Sequence, residues 1–176
     1  MQKAKQRSEI AQQDKWRIED IYATDEAWEA DYNECIRRAK EKCAYQGRLA
    51  ESAQILYQAL KESDEADLLV EHVYVYAFMK YYEDTANAVY QEMSGRAQAA
   101  VTKLSEKYAF LTPEILAIDQ KKMQEYLNSD TLALYRHALE DILAKKEHAL
   151  SEKEERLLAM AGQVTASPNE IFSKFN

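Results

Sequence analysis

His137 and Asp141 stand four residues apart, a spacing that puts an imidazole and a carboxylate on one helix face and could begin a zinc site. Such a site needs at least a third protein ligand, and the sequence around the pair supplies none. His72 and His148 are followed by Val73 and Ala149, so neither opens the His-Glu-x-x-His pattern in which two imidazoles hold zinc and Glu serves as base. The glycines, at 47, 95 and 162, form neither a Gly-x-Ser-x-Gly nucleophile elbow nor a loop that could cradle phosphate. Acid pairs such as Glu154-Glu155 are ordinary on a solvated helix face. No catalytic, cofactor-binding or metal-ligating residue is therefore expected in this chain.

One stretch has chemistry of another kind. Tyr74, Tyr76, Tyr81, Tyr82 and Tyr90 crowd a short segment. Core packing explains such a cluster, and so does a wall for extended peptides, because an aromatic ring with a polar tip suits a chain that is apolar and hydrogen-bonding by turns. Tyr76, Tyr81 and Tyr82 are the candidates for that wall.

The elements that would position them are helical. Three glycines and two prolines occur in 176 residues, where average usage gives roughly 12 and 9. Acidic residues outnumber basic ones by 31 to 23, for a net charge of −8, and the signs are interspersed. A nucleic-acid partner would require a concentrated Lys/Arg stripe, which is missing. The longest apolar run, residues 73–79, is far short of a bilayer crossing. Residues 1–8 are polar and lack the apolar centre of a secretory signal, which favours a cytoplasmic address. Cys35 and Cys43, expected on one helix about 12 Å apart in rise, are too distant for a disulfide and read as reduced, buried small side chains.

Residues 1–23 read as a mostly irregular segment pinned to the body by Trp16, Ile18, Ile21 and Tyr22. From Thr24, a good N-cap, to Gly47, a left-handed stop, a first helix places Trp28, Tyr32, Cys35, Ile36, Ala39 and Cys43 on one face. A second helix begins at Ser52 and presents Leu56 and Leu60. Ser63-Asp64-Glu65 then restarts a third, over about 64–82, to make an antiparallel or kinked pair. In it, residues 73–79 are apolar all round, which predicts a central, buried position. Val-Tyr-Val-Tyr would also suit a strand, but no turn residue separates it from the periodic stretch before it.

Asp84 or Thr85 caps a fourth helix reaching about Phe110, with Val89, Met93, Ala97, Ala100, Leu104 and Tyr108 on one face. Thr112-Pro113-Glu114 marks a short helix, and Asp119 and Asp130 start two more, the latter carrying Leu132, Tyr135, Leu139, Ile142 and Leu143. Ser151 with Glu154 forms a capping box for a helix closed by Gly162, and Ser167-Pro168-Asn169-Glu170 opens a last one. The expectation is an all-α bundle or array of about seven to nine helices, with residues 24–176 as one helical domain.

Several blocks carry a resemblance. Lys15-Trp16-Arg17-Ile18-Glu19-Asp20-Ile21-Tyr22, with Asp25-Glu26-Ala27-Trp28, resembles the opening Trp-x-(Leu/Ile)-x-Asp-(Ile/Leu)-(Tyr/Phe) of the oligoendopeptidase F family. Tyr74-Val75-Tyr76-Ala77 with Glu83-Asp84-Thr85 is similar to a second block, and Tyr135 to Ile142 leading to residues 148–155 to a third. Ser167-Pro168-Asn169-Glu170-Ile171-Phe172 is similar to a fourth, in the family's order.

The resemblance implies a cytoplasmic zinc endopeptidase that cleaves short peptides in a deep channel on a mostly helical scaffold. It makes this chain the N-terminal, non-catalytic lobe, ending before the catalytic domain and forming part of the channel wall. The His-Glu-x-x-His helix and the further Glu ligand of the family lie downstream of the matched blocks, so zinc is expected in the parent enzyme and not in this chain. The implied partners are the missing C-terminal catalytic domain of the same protein and short peptides. A self-sufficient helical binding or scaffold domain derived from that family is the alternative.

Overall fold

The computed structural model describes residues 9–145, which fold into α-helices and 3-10 turns without any strand among them. They divide between two compact units, Met1–Tyr135 and Arg136–Asn176. The first contains α1 (Asp25–Lys40), α2 (Ala53–Glu83), α3 (Ala88–Tyr108), α4 (Leu111–Ala117) and α5 (Gln120–Leu127), with 3-10 turns at Gln12–Asp14, Ile18–Asp20 and Asp130–Tyr135. The second unit opens with α6 (Arg136–Ala144). The all-α expectation holds. Six α-helices lie among the described residues, fewer than the seven to nine expected for the whole chain; those expected after Ser151 and Ser167 fall outside the described residues.

The largest difference is in α2. The two helices expected over residues 52–82 are one continuous helix of 31 residues. Ser63-Asp64-Glu65 imitates a cap in composition, but no glycine or proline breaks the chain there, and Ser63 is buried within the helix. The true N-cap is Ser52, whose hydroxyl accepts from Ile55 N at 3.2 Å. Residues 73–79 are helical, against the strand alternative. They are not buried all round, however: Val73, Tyr76 and Ala77 face the core, while Tyr74, Phe78 and Met79 are half-buried and Val75 is exposed.

Helix α1 starts where expected, with Thr24 Oγ1 accepting from Ala27 N at 3.3 Å and Asp25 and Glu26 in its first turn. It ends at Lys40, seven residues before Gly47, because the chain turns extended at Glu41 and enters a loop. Cys43 is thus buried from that loop and shares no helix with Cys35. Gly47 does adopt the left-handed conformation (φ 81°), within the loop rather than at a helix end. Glu114 of α4 holds this loop, its carboxylate accepting from Gly47 N and Leu49 N, each at 2.8 Å.

Helix α3 begins later than expected. Asn87 is its cap, accepting from Val89 N at 3.0 Å, and Asp84 accepts from Ala86 N in the turn before it. Val89, expected in the core, lies in the exposed first turn, whereas Met93, Ala97, Ala100, Leu104 and Tyr108 are buried as the period requires. Trp16 does not pin the N-terminal segment: it is 65% exposed, and Ile18 and Tyr22 insert instead. Asp119 caps α5 through Lys121 N and Lys122 N. The helix expected from Asp130 is a 3-10 turn as far as Tyr135 and α-helix only from Arg136.

One core unites α1, α2 and α3. Ala66, Ala77, Ala97 and Ala100 are fully buried and let the helices approach closely around the large side chains Trp28, Tyr76 and Leu104. Each large apolar side chain so buried contributes about 1.5–3 kcal/mol. Trp28 also finds a polar partner, its indole Nε1 donating to Val73 O at 2.8 Å across the α1–α2 contact.

Candidate functional site

The C-terminal half of α2 separates the three candidate tyrosines. Tyr76, 2% exposed, faces the core. Its hydroxyl donates to Asp25 Oδ1 at 2.7 Å, and its ring meets Tyr22 edge-on with centroids 5.3 Å apart. Burial, and then the hydrogen bond to Asp25, push its hydroxyl pKa well above the usual tyrosine range. Tyr81 is half-buried and Tyr82 is 66% exposed. These two belong to an outward aromatic row that begins with Tyr74 and Phe78.

The spacing explains the row. Positions 74, 78, 81 and 82 fall at i, i+4, i+7 and i+8 and so share one face of α2. Ring centroids lie 4.2 Å apart for Tyr74 and Phe78, 6.1 Å for Phe78 and Tyr82, and 5.3 Å for Tyr81 and Tyr82. Phe78 therefore completes a surface that the tyrosine count alone did not reveal; the signal available was its helical register with Tyr74 and Tyr82. Tyr90, also in the cluster, instead sits half-buried on α3 with Lys80 Nζ 5.3 Å from its ring.

Paired aromatic and polar groups tie the surrounding helices together. Arg96 of α3 lies over Tyr32, 4.2 Å from the ring centroid, and bonds Glu29, while Tyr32 stacks on Trp28 at 5.3 Å. Three further tyrosines donate to carboxylates: Tyr22 to Asp31 at 2.8 Å, Tyr108 to Glu62 at 2.9 Å and Tyr135 to Asp64 at 2.7 Å. Together with Tyr76 they tie separate elements to one another, and at each the hydroxyl pKa is raised chiefly by burial.

A charged cleft of about 290 Å³ lies where α1, α2 and α3 meet, lined in part by Arg37, Arg38, Glu62 and Lys107. Lys107, Arg37 and Arg38 are already engaged. Lys107 Nζ bonds Glu62 and Arg38 O, each at 3.1 Å, and Arg37 and Arg38 both bond Glu34, which holds that carboxyl down to about 2. This is internal charge pairing. Burial pushes the Cys35 thiol up to about 11, the opposite of what a nucleophile needs.

His137 and Asp141 do share a face of α6, with Nε2 and Oδ2 3.7 Å apart, but both are well exposed. Among the described residues no three His, Cys, Asp or Glu side chains converge in a way that could hold a metal, so this part of the chain does not fit the zinc that the family implies. His72 is exposed on α2, and His148 lies outside the described residues. Nor is any helix among the described residues long and apolar enough to cross a membrane.

Known proteins share both the sequence and the helical arrangement. A family model described as Oligopeptidase F matches residues 114–176. Oligopeptidase PepF of Bacillus subtilis is 40% identical over 171 residues, covering 97% of this chain and 26% of that protein. An oligoendopeptidase F homolog of Lactococcus lactis is 38% identical over 179 residues, covering 98% of this chain and 29% of its own length. The crystal structure of oligoendopeptidase-F from Enterococcus faecium superposes with a TM-score of 0.68 at 30% identity, over 84% of this chain and 29% of that one. A crystal structure from Chlamydophila abortus, at 24% identity and a TM-score of 0.76, has the same fold over 97% of this chain.

The fold is thus that of an all-helical peptidase region without a metal cluster among its described residues. The chain belongs to the oligoendopeptidase F family, as its N-terminal type of region, and spans 26–29% of the length of these curated relatives.

Proposed function

We propose that this chain is the non-catalytic lobe of a zinc endopeptidase that hydrolyses short peptides in the cytoplasm, and that the outward face of α2 forms part of its substrate-channel wall. The observation that carries this reading is the aromatic row of Tyr74, Phe78, Tyr81 and Tyr82, left outside the core on a helix whose other side is anchored through Tyr76 and Val73. Rings on this face are accessible to a ligand as the core rings are not. On this reading the lobe binds and excludes, and the catalytic part of the same protein, with its zinc and the residues that hold it, performs the hydrolysis.

Tyr76 has a packing role, which leaves Tyr81 and Tyr82 as the wall residues. In the full-length enzyme, their replacement should change KM or the limit on peptide length and leave zinc content unchanged. Kinetics on peptides of graded length test this.

A further inference from the structure

Leu68, Val75 and Tyr82 follow one another at seven-residue intervals on α2 and are 58%, 37% and 66% exposed. Seven residues is close to two helical turns, so the three form one row about 21 Å long, outside the core. Tyr74, Phe78 and Tyr81 flank it, and a groove of about 310 Å³ between α2 and α3 continues the surface through Val70, Tyr74 and Val101. A row of this length matches about six residues of extended peptide.

Acidic groups predominate at one end of this face, where Lys61, seven positions before Leu68, is paired with Glu65 at 3.8 Å. Asp67 and Glu71 stand one helical turn apart beside Leu68 and Tyr74, and Glu71 lines the groove. Partial burial, and then the neighbouring charges of Asp64 and Glu71, raise the Asp67 carboxyl above its ordinary value. Among the described residues no ion pair engages Asp67 or Glu71. The groove is lined by no Lys or Arg, and the nearby Lys80 is turned over Tyr76 and Tyr90. A cation brought here would relieve like-charge repulsion and meet the electron-rich faces of aromatic rings, whereas a carboxylate would meet neither.

We propose that this face takes extended peptides carrying Lys or Arg, the cationic side chain seated against Asp67 and Glu71 and the following apolar side chains laid along Tyr74, Phe78 and Tyr82. The proposal rests on the channel-wall reading and adds a preference for cationic peptides to it.

Three eight-residue peptides of matched apolar content, with two Lys, two Glu or two Gln near one end, are titrated into the 176-residue chain by calorimetry at low salt and at 1 M NaCl. The Lys peptide should bind roughly threefold to tenfold more tightly than the Gln peptide, and the Glu peptide more weakly still. The preference should shrink at 1 M NaCl, where the screening length is about 3 Å. Asp67→Asn with Glu71→Gln should abolish the preference but keep the weak binding of the Gln peptide. Glu92→Gln with Glu106→Gln, exposed on α3, makes the same change in net charge and should leave the preference intact. Tyr82→Ala should weaken all three peptides, with circular dichroism confirming that each variant remains helical.

Equal binding of the three peptides overturns the cationic preference and leaves the channel-wall reading standing. Absence of binding by any of them overturns both. Loss of the preference in the α3 variant assigns it to net charge and overturns the site. Self-association of the chain that Tyr82→Ala abolishes makes the face a contact between copies and overturns the peptide assignment.

Discussion

The hydroxyl of Tyr76 donates to Asp25 Oδ1 at 2.7 Å, joining the C-terminal half of α2 to the first turn of α1. The same carboxylate sits where the positive end of the α1 dipole favours negative charge, so one group serves a helix end and a tertiary contact. Tyr76→Phe should cost about 1–2 kcal/mol by removing a hydrogen bond to a charged group and leaving Asp25 less satisfied. Tyr76→Ala should cost about 3–5 kcal/mol, since a cavity is added. Denaturant melts of both variants check the order and the gap between them.

The tyrosine–carboxylate pairs give the fold an alkaline limit. Tyr22, Tyr76, Tyr108 and Tyr135 have hydroxyl pKa values raised above the ordinary 10.0, first by burial and then by hydrogen bonds to Asp31, Asp25, Glu62 and Asp64. A raised folded value means that the unfolded chain loses these protons first. Their stabilisation is therefore complete below pH 10 and declines as pH rises beyond it. Tyrosine absorbance followed against pH should show these four ionising only together with loss of helicity. Smooth titration of all twelve tyrosines in a still-helical chain would contradict this.

The loop between α1 and α2 rests on Gly47 and Glu114. An added Cβ at Gly47 would meet no atom within 4 Å, so Gly47→Ala should cost only the backbone term of a left-handed residue, about 1–2 kcal/mol. Glu114→Ala leaves the amides of Gly47 and Leu49 without their acceptor and should cost about 2 kcal/mol. Hydrogen exchange should show the Leu49 amide losing protection in Glu114→Ala before the amides of α2 do.

Much of this fold was legible because its signals are local. Thr24, Ser52 and Asp119 cap the helices that their sequence positions predict, and the 3.6-residue period found the buried faces of α1 and α3. The failures arose where tertiary contacts decide. Ser63-Asp64-Glu65 has cap chemistry in mid-helix, and only packing of Ser63 into the core shows that the helix continues. The chain leaves α1 at Glu41 with no glycine or proline to mark it, and the loop that follows is held at Gly47 and Leu49 by Glu114, more than sixty positions away. For the candidate wall, composition marked a tyrosine-rich segment but could not sort the buried Tyr76 from the exposed Tyr82. A run apolar on every side conceals which side meets solvent, and that is settled by where α1 and α3 lie.

The central claim is that the outward rings of α2 contact peptide while other parts of the enzyme do the chemistry. It is tested most directly by kcat and KM of the full-length enzyme carrying Tyr81→Ala or Tyr82→Ala, on peptides of graded length, with zinc content and a melting curve for each variant. A raised KM or a relaxed length limit is predicted, with zinc content unchanged and little loss of stability for the exposed Tyr82, because binding common to substrate and transition state has been removed. Wild-type kinetics and length preference in both variants would contradict the account and leave these tyrosines with no role beyond packing.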